Sequence, residues 1–78
     1  MLISPREIRD RLMATDAKFQ RLAEEHSQYE AQLEQLAEEP YLSSEDIVRQ
    51  TTLKKLKLRV KDEMEKLIAR HAQGTSHR

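Results

Sequence analysis

Three histidines, five serines, several adjacent glutamates and a dense run of lysines are the side chains here that could do chemistry. A helical-bundle metal site needs inward carboxylates and Glu-x-x-His pairs, yet Ala23 stands three residues before His26 and Ile68 three before His71, while His77 sits near the end of the chain. With no cysteine to add thiolates, ligand count and geometry are unmet, and no metal or other cofactor is expected. His26 reads instead as a seam residue with a hydrogen-bond partner from a second helix, with some interest as a pH-sensitive element. Ser4, Ser43 and Ser44 are better explained as helix caps than as nucleophiles, and there is no glycine-rich turn to build an oxyanion hole or phosphate cradle. Catalysis is not expected.

The lysine run is "LKKLKLRVKDEM", residues 53 to 64, which holds Lys54, Lys55, Lys57, Arg59 and Lys61. Such a run could grip nucleic acid or an anionic membrane surface, and Lys55, Arg59 and Lys66 share one side of a helix. Against this, 14 basic residues balance 14 acidic ones, so the whole molecule exerts no general pull on a polyanion. Asp62, Glu63 and Glu65 lie beside the run, and the chain's three aromatics (Phe19, Tyr29, Tyr41) supply no stacking platform.

The elements that carry these residues follow from the turn chemistry. One glycine and two prolines leave few places to turn, and the only dense cluster is "EEPYLSSED", residues 38 to 46. Pro40 ends a first helix, and Ser43 or Ser44 caps a second with Glu45 and Asp46 in its first turn, where the helix dipole favours carboxylates. At the start, Ser4 as cap, Pro5 at the first helical position and Glu7 three residues after the cap form the capping-box pattern. The expectation is one domain over 1–73, with a helix at about 5–39, a turn at 40–43, a helix at about 44–72, and a flexible tail over 74–78 beginning at Gly74. Thr15 and Asp16 in "ATDAK" are the one place where the first helix could be hinged. No apolar stretch is long enough for a secretory leader or a membrane span.

Ile8, Leu12, Thr15, Phe19, Leu22, His26, Tyr29, Leu33 and Leu36 recur at steps of four and three, the spacing of a heptad seam. Leu53, Leu56, Val60, Met64 and Leu67 form the matching face of the second helix. The fold class is therefore all-α: an antiparallel two-helix coiled-coil hairpin that assembles into a helical bundle. Glu24, Glu25, Glu30, Glu34, Glu38 and Glu39 lie in a stretch with no basic residue. Arg49, Lys54, Lys55, Lys57, Arg59 and Lys61 lie in one with no acidic residue. Folding at residues 40–43 would lay one block beside the other, making the lysine run an internal complement. Ile47, Thr51, Leu58, Ala69 and Ala72 form a weaker stripe about 120° from the seam, a candidate homo-oligomer interface, since so thin a core needs further burial.

"FQRLAEEHSQYEAQLEQL", a short acidic and serine-bearing turn and "LKKLKLRVKDEM" together resemble the YdcH-like family of small bacterial helical-hairpin proteins. The resemblance rests on Leu22, His26, Leu53, Lys54, Lys55, Lys57, Leu58, Lys61, Asp62 and Glu63, with Leu56 departing from the polar residue usual there. It implies a helical hairpin in the bacterial cytoplasm without an assigned activity, and supplies no catalytic residues. The functional expectation is a non-enzymatic protein-protein interaction or structural accessory module. Its partner is a second copy or another protein's helix, and the alternative is anion binding through Lys55, Arg59 and Lys66.

Overall fold

The computed structural model describes the backbone of residues 4–77 and the side chains of residues 4–72. Three helices, α1 (Pro5–Thr15), α2 (Ala17–Glu38) and α3 (Ser44–His77), make up the described chain, with no strand among those residues.

Local chemistry sets each boundary. The Glu7 amide donates to Ser4 Oγ at 3.2 Å and the Ser4 amide donates to Glu7 Oε1 at 3.1 Å, closing the capping box at the start of α1. Asp16 separates α1 from α2. Its backbone leaves the helical region (φ −111°, ψ 111°), its N–H donates to the Leu12 carbonyl at 2.8 Å, and its carboxylate accepts from the Phe19 amide at 2.9 Å. One residue thus ends one helix and caps the next, and Gln20 Nε2 donates to the Met13 carbonyl at 2.7 Å, satisfying another acceptor at the end of α1. Replacing Asp16 with alanine should cost about 1 kcal/mol, read as a lower urea midpoint, because the Phe19 amide loses its acceptor. An unchanged midpoint would show that packing alone holds the junction.

α2 stops where proline demands it. Glu39 is extended (φ −72°, ψ 130°) immediately before Pro40, as the clash between the proline ring and the preceding residue requires. Ser43 then caps α3: the Asp46 amide donates to Ser43 Oγ at 3.1 Å and the Ser43 amide donates to Asp46 Oδ2 at 3.2 Å. Ser44 is the first helical residue rather than the cap.

Two differences from the sequence reading concern the ends and the seam. α3 does not stop near residue 72 but continues through Gly74 to His77. Glycine within a helix costs only about 1 kcal/mol relative to alanine, and no residue among those described takes the left-handed conformation that a glycine stop would use. Arg78, the end of the expected tail, lies outside the described residues. The seam also does not run unbroken from Ile8 to Leu36. Thr15 is exposed and its hydroxyl donates to the Arg11 carbonyl at 2.8 Å, so the break at Asp16 makes α1 a separate element.

That break matters because α1 packs against both α2 and α3. Ile8 and Leu12 of α1, Phe19 of α2, and Val60 and Met64 of α3 form one buried cluster, against which Leu22, Ala23, Tyr29, Leu67, Ile68 and Ala72 pack. Toward the loop, Leu36 and Leu53 are buried outside that cluster. The molecule measures 54 × 20 × 18 Å. Its long dimension is close to the roughly 51 Å expected for the 34 residues of α3.

Candidate functional site: two surfaces of α3

The sequence offered two sets of residues, a seam shared by α2 and α3 and a stripe on α3, and the structure separates them by exposure. Of the seam positions, Phe19, Leu36, Leu53, Val60 and Met64 are buried, while Leu22, His26, Tyr29, Leu33, Leu56 and Leu67 are half-buried. None faces fully into solvent. Of the stripe positions, Ile47 (52% exposed), Leu58 (59%), Thr51 and Ala69 are exposed. Thr51 Oγ1 donates to the Ile47 carbonyl at 3.1 Å, which satisfies the hydroxyl within the helix. Ala72 departs from this set, packing half-buried against the Phe19 cluster. Its side chain lies within the broad inner face that α1 and α2 both use.

Val48 (64% exposed) and Tyr41 (87%) extend the exposed apolar surface toward the loop. Val48 lies about 100° from Ile47 around an ideal helix, so a one-stripe pattern misses it. Next to Ile47 in sequence, it widens the outer surface at the end of α3 nearest the loop. These side chains sit among charges: Lys54, Lys55, Asp62 and Glu65 are exposed at intervening positions on the same helix.

The basic block is paired less than the matching charge blocks of the sequence imply. Lys57 Nζ lies 3.3 Å from Glu30 Oε2, the one ion pair between the two blocks among the described residues. Lys54, Lys55, Arg59 and Lys61 remain exposed, and among the described residues none of them forms an ion pair with an acidic residue of α2. Opposite charge therefore acts here mainly as a broad complement, not as a ladder of pairs. Of the alternative anion contacts, Lys55 and Arg59 are exposed, whereas Lys66 Nζ lies 3.6 Å from Glu63 Oε2 on its own helix. Since Glu30 and Lys57 are each partly exposed, a double-mutant cycle with Glu30→Gln and Lys57→Met should give a coupling of about 0–1 kcal/mol that shrinks with salt. A coupling that salt leaves intact would mean the pair is far better shielded than its exposure implies.

His26 also differs from expectation. Its ion-pair partner is on its own helix: Nδ1 is 3.7 Å from Glu30 Oε1, and Glu30 in turn reaches Lys57 of α3. Glu30, one turn further along α2, thus links His26 to the second helix through Lys57. Among the described residues no three His, Asp or Glu side chains cluster as a metal site would require.

A second surface arises where α1 folds back. A half-open groove of about 920 Å³ is walled by Pro5, Arg6, Ile8 and Arg9 of α1, with Lys57, Lys61, Met64, Glu65, Ile68, Ala69 and Ala72 of α3; His26 and Glu30 of α2 also line it. Sequence reasoning did not connect Arg6 and Arg9 with Lys61. The only available signal was "ATDAK": a helix break there frees α1 to pack beside α3, whereas a continuous helix would carry the arginines away.

Against known proteins, the family model described as "Protein of unknown function (DUF465)" matches residues 19–68. The matched segment begins at Phe19 and takes in the rest of α2, the loop and α3 as far as Ile68, leaving α1 outside. No curated protein and no solved structure matches the chain. Among the described residues, no helix is long and apolar enough to cross a membrane.

Proposed function

The chain belongs to the DUF465 family of proteins of unknown function, which includes the YdcH-like proteins that its sequence resembles, and from that premise we propose that it is a non-enzymatic protein-protein interaction module. In this reading α2 and α3 pair as an antiparallel coiled-coil hairpin, and two or more hairpins assemble into a bundle through the outer side of α3. Ile47, Thr51, Leu58 and Ala69 are the contact residues. Ala72, placed against the core, contributes to the hairpin itself.

The observation that carries the proposal is surface area. A folded monomer of 9.2 kDa has an accessible surface of about 4,900 Å² by the usual size scaling, and this chain has 6424 Å². An elongated hairpin of this size cannot hide its own apolar residues, and Ile47, Val48 and Leu58 are each more than half exposed. Burial of those side chains in a second copy compensates for a core that is small even with α1 packed onto it.

The alternative is binding of nucleic acid or an anionic surface through exposed Lys55 and Arg59, with Lys66. Salt separates the two readings: phosphate contacts weaken steeply as salt rises, whereas an apolar interface persists or tightens. The zero net charge and the acidic neighbours on α3 favour the interaction module. A bacterial cytoplasmic setting accords with the family resemblance and with a chain that has no cysteine to pair. Light-scattering mass of the wild type and of a Leu58→Glu variant tests the assignment.

A further inference from the structure

The groove between α1 and α3 has a chemistry that the outer side of α3 lacks. Half-buried Ile68 and Ala72 and exposed Ala69 form an apolar floor over buried Ile8 and Met64. Cations stand on both walls, Arg6 and Arg9 on α1 and Lys61 on α3, with Glu65 opposing them. Glu30 is already engaged by Lys57 at 3.3 Å. A molecule with no net charge therefore concentrates positive charge along one groove.

From this arrangement we propose that the groove docks an amphipathic helix of another protein, its apolar face on the floor and acidic side chains toward the two walls. Along α3 the lining runs from Lys57 to Ala72, roughly 22 Å at 1.5 Å per residue, which matches about four turns of a docked helix. Cations on both sides of an apolar floor suit a helix with two acidic flanks better than a single-headed anionic lipid, which needs charge at one end. The proposal adds a partner to the interaction module on a groove that shares Ala69 with the outer stripe but leaves Ile47, Thr51 and Leu58 outside its lining, so loss of peptide binding and loss of self-assembly are separately readable.

The test uses the full chain, a synthetic 15-residue helical peptide with leucines at i, i+4, i+7 and i+11 flanked by glutamates, and a second peptide with lysine flanks. Titration followed by amide NMR should show the acidic peptide perturbing Arg9, Lys61 and Ile68, with binding that weakens as salt rises. Arg9→Glu and Lys61→Glu should each weaken it about fivefold, the scale of a rim charge, while Lys54→Glu, outside the groove, leaves it unchanged. Helicity of each variant by circular dichroism separates lost binding from lost fold. Equal binding of the lysine-flanked peptide, or no binding of either, overturns the proposal. So do perturbations confined to Ile47 and Leu58, which would locate docking on the outer side of α3 and leave the interaction module standing. Contacts in the free protein between Leu2 or Ile3 and Ile68 would give the groove to the chain's own N-terminal segment. Preference of the same groove for anionic phospholipid vesicles would give it to a membrane surface; either result overturns a helical partner.

Discussion

Replacing Phe19 with alanine should destabilise the fold by about 3–5 kcal/mol, as large-to-small changes of buried aromatics do. Phe19 is fully buried and joins all three helices, packing in one cluster with Ile8 and Leu12 of α1 and Val60 and Met64 of α3. Truncation would leave a cavity that no single neighbour can fill, since each belongs to a separately fixed helix. A chain of 78 residues has roughly 4–12 kcal/mol of total stability, so this loss could remove most of it. Urea titration followed by circular dichroism is the check, with half-buried Leu33→Ala as a milder comparison. A Phe19 variant that lost less than the Leu33 variant would contradict the placement of the core at the three-helix end.

The second large effect concerns assembly instead of folding. Leu58→Glu should weaken self-association by about 100-fold, because each protomer loses roughly 1–1.5 kcal/mol of apolar burial and gains a carboxylate within the interface. The monomer itself should keep its helicity. Leu58 is 59% exposed, and a glutamate there lies one turn from exposed Lys54, an i, i+4 spacing that favours opposite charges. Retained helicity with lost mass is the expected pair of results. Retained mass would remove Leu58 from the interface, and lost helicity would mean that the residue supports the fold.

Much of the helix layout was legible because local chemistry determines it. Ser4 with Glu7, Pro40 and Ser43 act within a few residues of themselves, so their effect can be read without knowing what packs where. The inward or outward placement of Leu53, Val60 and Leu58 follows equally directly from helical periodicity. Other features depended on tertiary competition. A heptad pattern runs through Thr15, and whether the helix continues there depends on Asp16 capping α2 and on the burial gained when Ile8 and Leu12 fold onto Phe19. The cation-walled groove was invisible for the same reason: Arg6 and Arg9 meet Lys61 only after that fold-back. Charge blocks misled in a different way, since matching signs along two helices do not say which long side chains reach a partner. Glu30 and Lys57 do, while most of the basic block stays at the surface. Gly74 shows a further limit of local rules, because a residue that permits a helix to stop does not compel it.

Light-scattering mass of the wild-type chain at low and high salt, with and without added RNA, tests the central claim most directly. The interaction-module account predicts a discrete species of at least twice 9.2 kDa that persists at high salt and ignores RNA. A 9.2 kDa monomer that gains mass with RNA at low salt and releases it at high salt would contradict that account, and would assign the exposed lysines of α3 to phosphate binding.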